Sequence, residues 1–193
     1  MAITKDSLLT LEAYAKVRKS SKPEAIAHRR TRSVVLGDHM TLQFEDETTV
    51  RRQIQEMLHI EKIFDEDGIQ AEIDAYAPLV PDGRNWKATL LIEYPDEEVR
   101  RVQLERLKGI EDRCYVQIEG FDRLYAIADE DLERENDVKT SAVHFLRFEL
   151  GDDMAEALKS GAALSAGIDH PAYQHVLESV PVNLRASLIA DLD

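Results

Sequence analysis

Cysteine occurs once in 193 residues, at Cys114. A lone cysteine excludes an intrachain disulfide framework and any multi-cysteine zinc or iron–sulfur site held within the chain. No apolar run approaches the ~18 residues of a membrane-spanning helix, and the opening MAITKDSLLTLEAYAKVRK lacks the pattern of a secretory signal. We therefore expect a cytoplasmic protein with no membrane association. Positive charge is also scarce: 24 Lys and Arg face 38 Asp and Glu, a net charge of −14. That balance argues against DNA, RNA or anionic lipid as the main partner. The phosphate-binding P-loop, the Gly-x-Gly-x-x-Gly dinucleotide turn, the Gly-x-Ser-x-Gly nucleophile elbow and the His-Glu-x-x-His zinc helix are all missing.

What is present suffices for a folded core, at 44% hydrophobic and 32% charged residues. The length fits one domain over residues 1–193. Charge is unevenly placed, because residues 1–32 carry eight basic and three acidic side chains, leaving −19 for the remainder. A basic, helical N-terminal arm can bind nucleic acid, but Tyr14 is its only aromatic and it offers no stacking platform for bases. The blander reading, an arm lying on its own acidic domain, is favoured.

Helical spacing of Leu8, Leu11, Tyr14 and Ala15 predicts a first helix, punctuated by Ser20, Ser21 and Pro23, with a second short helix after Pro23. Residues 33–45 read as a hairpin turning at Gly37 and Asp38. The clearest amphipathic helix spans 48–64, and a shorter one spans 68–76. WKATLLIEY is a strand, and Pro95 opens a helix with Asp96, Glu97 and Glu98 in its first turn. CYVQIE and RLYAIA form a second hairpin, and TSAVHFLRFEL is another strand. A helical C-terminal segment is expected over about 152–193, with pieces at 152–159, 171–179 and 182–191. Hairpins and helix-separated strands together indicate an α+β fold: a mainly antiparallel sheet packed against several amphipathic helices.

Two carboxylate–imidazole sets are candidate metal ligands for a transition-metal ion. Glu56 and His59 stand at i and i+3 on one helix face, the spacing used in ferritin-like bundles, though a second such pair is lacking. Alternatively Glu61, in the arc of Val50, Ile54, Met57, Leu58 and Phe64, is expected to be enclosed, and His144 alternates with Leu146 and Phe148 on one strand face. An enclosed Glu61 needs a partner, and Arg147 leads the candidates, with Arg113 and His144. His170 and His175 beside Asp169 form a further cluster, read as a helix cap. Glu93, Gln117, Glu119 and Arg147 are read as a solvated sheet face, as is the acidic stretch Asp129–Glu135. Cys114 is expected inside the sheet with Val116 and Ile118. These readings assign no catalytic residue and no cofactor-binding motif.

The stretches LQFEDETTVRRQIQEMLHIEKIF, PLVPDGRNWKATLLIEYPDEEVRR, YAIADEDLERENDVKTSAVHFLRFEL and GIDHPAY together resemble a bacterial family defined only as domain-of-unknown-function family 3501, over nearly the whole chain. The resemblance implies an intracellular domain encoded near rubrerythrin-like and iron–sulfur oxidoreductase genes. It carries no assigned catalytic residue. The function expected from it is an accessory or interaction module for a redox or oxidative-stress protein partner; the alternative is a metal-binding protein or metal-dependent enzyme.

Overall fold

The computed structural model describes residues 3–130, 134, 136 and 138–193. The chain divides into two compact units, Met1–Thr31 with Glu45–Pro81, and Arg32–Phe44 with Asp82–Asp193.

The first unit is helical: α1 (Leu11–Arg30), α2 (Glu47–Glu61) and α3 (Glu66–Tyr76). Thr10 caps α1 by accepting from the Ala13 amide. The punctuation expected at Ser20, Ser21 and Pro23 does not end this helix. Both serine hydroxyls donate to carbonyls three residues back, and Pro23 sits inside the single 20-residue helix. A proline removes one donor from the ladder, which the flanking turns outweigh.

Asp46 and Thr49 form a reciprocal capping box that starts α2, with amide bonds of 2.8 and 2.9 Å. The helix ends earlier than the expected 64 because Lys62 turns left-handed at φ 57°. Val50, Ile54 and Leu58 pack with Ile3 and Ile73 as this unit's core. Gln55 shares the buried face because its side chain bonds both backbone groups of Leu9, at 2.6 and 3.2 Å. The expected enclosure of Glu61 is corrected: Glu61 is exposed, and so is Phe64. The buried arc lies further toward Gln55 than the apolar residues suggest, and Glu61 is the last residue before the helix stops.

The second unit holds two antiparallel sheets. The first has the order β1 (Ser33–Val35), β2 (Met40–Phe44), β3 (Asn85–Ile92), β7 (Val143–Glu149), β6 (Ile127–Ala128). In the second the order is β5 (Leu124–Tyr125), β4 (Cys114–Ile118), β8 (Leu164–His170), β9 (Tyr173–Leu177). The expected hairpin at 33–45 is β1–β2, and β4–β5 is the second hairpin. Between β5 and β6 the chain changes sheets at Ala126, whose amide bonds the Cys114 carbonyl at 2.9 Å. Helix α4 (Glu97–Arg106) is capped by Asp96, so Pro95 precedes the cap rather than opening the helix. The core contains Leu42, Phe44, Trp86, Leu90, Val116, Leu146, Phe148 and Ile168.

The C-terminal segment is not uniformly helical. Helix α5 (Asp152–Lys159) and helix α6 (Val182–Ile189) flank the β8–β9 hairpin, so the helix expected at 171–179 is a strand. Its residues alternate in burial, and Pro171 and Ala172 make the turn. The small residues of β8 serve close packing: a Cβ on Gly167 would lie 2.4 Å from the Tyr115 hydroxyl.

Candidate metal centre

His144 lies on β7, where strand alternation turns it inward with Leu146 and Phe148 while Phe145 and Arg147 face the other way. The inward face expected for His144 is the one it occupies, and no solvent reaches the residue. Three further residues converge on its ring. Asp129 follows β6 and takes a left-handed backbone conformation, φ 48°. Its amide extends the strand pairing to the Phe145 carbonyl at 2.8 Å, and its side chain returns to the Phe145 amide at 3.0 Å. Glu111 lies in the short 3-10 turn Glu111–Arg113 before β4 and is buried. Thr140, also buried, precedes β7 and is fixed by its amide on the Leu104 carbonyl at 3.1 Å.

The ring contacts are specific. Asp129 Oδ2 stands 2.6 Å from His144 Nδ1. A carboxylate only accepts, so Nδ1 carries a hydrogen toward Asp129. Around Nε2 lie the Thr140 hydroxyl at 2.9 Å, the Ser141 carbonyl at 3.1 Å and Glu111 Oε2 at 3.7 Å. Thr140 Oγ1 is also 3.3 Å from Glu111 Oε2. Its single hydrogen serves either Nε2 or the carboxylate at one time. A hydroxyl, a backbone carbonyl and a carboxylate thus surround Nε2 inside the protein. On the opposite side Arg134 pairs with Asp129 Oδ1 at 3.1 Å and lies 4.4 Å over the Phe145 ring. One ring nitrogen of His144 and one oxygen each from Glu111 and Asp129 lie within 4.8 Å of one another, the one such grouping among the described residues.

The other candidate residues are placed elsewhere. Glu56 accepts from the Tyr14 hydroxyl at 2.6 Å and from Arg18 at 2.8 to 3.1 Å, with Arg52 at 3.5 Å. The Arg18 hydrogen bonds hold its carboxyl below the ordinary value, and two guanidiniums occupy the charge a metal ion would need. Burial, reinforced by that carboxylate, pushes the Tyr14 hydroxyl up to about 12. His59 meets the Tyr14 ring edge-on at 5.8 Å. Arg147 does not serve Glu61: it pairs with Glu130 at 2.8 Å through two nitrogens and with Glu149. Glu93 bonds Thr41, Gln117 the Phe121 carbonyl and Glu119 the Ala163 amide, so these three do not converge with Arg147. His170 spans the Lys108 carbonyl at 2.9 Å and the Ala172 amide at 3.2 Å, and Asp169 is held by Arg123 and Tyr125 rather than capping a helix. Cys114 is buried, its thiol pushed far up by burial and then by Glu111. Much of the acidic stretch expected as a solvated face, residues 131–133 and 135, lies outside the described residues, but Asp129 itself points inward. Sequence reading missed Glu111 and Asp129; the inward phase of His144 was the only signal toward them.

Fold and centre together define an α+β protein with a histidine enclosed between two carboxylates. The chain belongs to the family described as protein of unknown function (DUF3501), whose model matches residues 2–192. It is similar to a novel protein of unknown function from Burkholderia pseudomallei K96243, known from a crystal structure. The two chains share 61% identity, each is covered over 100% of its length, and the TM-score is 0.95. None of the curated proteins matches this chain. No helix among the described residues is long and apolar enough to cross a membrane.

Proposed function

We propose that the protein binds one first-row transition-metal dication through His144 Nε2 and Glu111, with Thr140 and the Ser141 carbonyl as further oxygen donors. The observation that carries this reading is the spacing of those donors: Nε2 stands 2.9 Å from the Thr140 hydroxyl, 3.1 Å from the Ser141 carbonyl and 3.7 Å from Glu111, and the Thr140 hydroxyl stands 3.3 Å from Glu111. Adjacent ligands of an octahedral ion with bonds of about 2.1 Å stand about 3 Å apart. One imidazole among oxygens suits manganese, iron or zinc better than a soft-ligand ion. Asp129 then acts as the orienting carboxylate, holding the Nδ1 hydrogen and raising the basicity of Nε2.

The test is elemental analysis of protein purified without a histidine tag, followed by titration of the chelator-treated protein with Mn²⁺, Fe²⁺ and Zn²⁺. About one equivalent of a bound ion, lost in both His144→Ala and Glu111→Gln, is the expected result. Less than about one-tenth of an equivalent as purified, with no uptake on titration, overturns it.

A second reading, a docking module for a rubrerythrin-like or iron–sulfur oxidoreductase partner, draws on Ile60 and Phe64, exposed by 62% and 79% at the end of α2. Large apolar side chains left in water are common anchors of protein contacts. Co-purification with such a partner that Phe64→Ser abolishes supports it; equal recovery with both forms ends it.

A further inference from the structure

Lys87 sits on β3, directly opposite Arg147 on β7. Two carboxylates flank this pair, Glu130 and Glu149, and Arg147 takes both. Its Nε and one terminal nitrogen each reach a Glu130 oxygen at 2.8 Å, and the other terminal nitrogen bonds Glu149. Asn85 reaches the same Glu149 oxygen at 3.5 Å. A planar guanidinium matches a carboxylate with two parallel bonds, which a single ammonium cannot do, so arginine wins the competition. Lys87 is left without a hydrogen bond or ion pair among the described residues. It is half-buried, with a guanidinium as its cross-strand neighbour.

We propose that Lys87 is a nucleophilic lysine and a site of acylation by small acyl thioesters. An unprotonated amine attacks the acyl carbon, the carbon–sulfur bond breaks, and an amide forms. The thiolate leaves, and the proton shed by the nitrogen balances it. Two features of the site favour the reactive form. Desolvation penalises the ammonium, and the adjacent Arg147 charge repels it, so the amine is held below the ordinary lysine value. Glu130, Asp82 and Glu149 oppose that shift and do not cancel it. Elsewhere Lys16, Lys19 and Lys22 on α1 are exposed and compete for the same reagent. The site is distinct from the centre at His144 and does not rest on metal binding.

The experiment exposes the intact native protein to a limiting amount of the thioester S-acetyl-N-acetylcysteamine at pH 7.5 and reads occupancy at each lysine by peptide mass spectrometry. Lys87 is expected to exceed each of Lys16, Lys19 and Lys22 by at least about threefold, the free-amine fraction at fixed pH rising as the ammonium is disfavoured. Arg147→Ala releases Glu130 and Glu149 to pair with Lys87 and should erase the preference. Occupancy at Lys87 no higher than at the α1 lysines overturns the proposal, and that comparison in the unaltered protein decides even where the variant fails to fold. A preference unchanged in folded Arg147→Ala overturns it as well, because the arginine would then not be what leaves the amine unpaired.

Discussion

Nδ1 of His144 lies 2.6 Å from Oδ2 of Asp129 although fifteen positions separate the two residues along the chain. The contact exists because β6 and β7 pair, and because the left-handed backbone at Asp129 turns its carboxylate back over the strand it has just joined. One oxygen serves the Phe145 amide and Arg134, the other the ring.

Asp129→Asn keeps the shape of this contact and removes the charge that fixes the Nδ1 hydrogen. Outer-shell partners of a ligating histidine typically contribute 10–100-fold in affinity, so a loss of about that size is expected for the bound ion. Competition titration against a chromophoric chelator measures it. Affinity unchanged in the folded variant would show that Asp129 does not orient the ligand.

The Tyr14–Glu56–Arg18 cluster gives the helical unit a pH signature at both ends. The Glu56 carboxyl is lowered below 4.5, chiefly by Arg18, so the fold favours its ionised form. That contribution is complete above about pH 4.5 and is lost as pH falls through the lowered value. Tyr14 is shifted the other way, from 10.0 up to about 12, so its protonated form is favoured, fully below pH 10, and the advantage disappears as pH rises toward 12. Glu56→Gln should flatten the acid limb of a stability profile from denaturant titrations between pH 3 and 7. Tyr14→Phe should cost about 1 kcal/mol at neutral pH, the usual worth of one such bond.

Gly167 is required by what lies above it rather than by its own backbone. A methyl group there would meet the Tyr115 hydroxyl at 2.4 Å, the ring carbon bearing it at 2.6 Å and the His175 carbonyl at 2.8 Å. Gly167→Ala is therefore expected to destabilise the second unit by about 1–3 kcal/mol, the range for overpacked sites. Adding Tyr115→Phe should recover only part, since the ring carbon and the backbone carbonyl remain. Thermal unfolding of the single and double variants checks both statements.

Cys114 is expected to be silent toward thiol reagents in the native state. Burial raises its thiol well above the ordinary value of 9.0, and the Sγ atom is 3.5 Å from the Ile110 carbonyl. Ellman's reagent should release almost no colour until denaturant is added, then the equivalent of one thiol. Rapid native reaction would mean that the β4–β8 region opens more readily than its packing implies.

The sequence by itself determined the local order of this chain. Period-two alternation identified β4 and β7, and with β7 the inward phase of His144, because neighbouring side chains on a strand must point to opposite faces. The amphipathic spacing over 48–64 located α2 to within a few residues, since amphipathicity is set by residues one turn apart. Tertiary structure decided the rest. Glu61 follows the apolar arc of α2, yet it is exposed because Gln55, anchored on Leu9 far along the chain, shifts the buried face and the helix stops one residue later. Residues 171–179 read as helix from their composition and became a strand because β8 offered an edge and Pro171 a turn. Glu111 and Asp129 carry no local mark that separates them from the chain's many other acidic side chains. Only the pairing of β6 with β7, and the 3-10 turn before β4, bring the two carboxylates to opposite nitrogens of one imidazole.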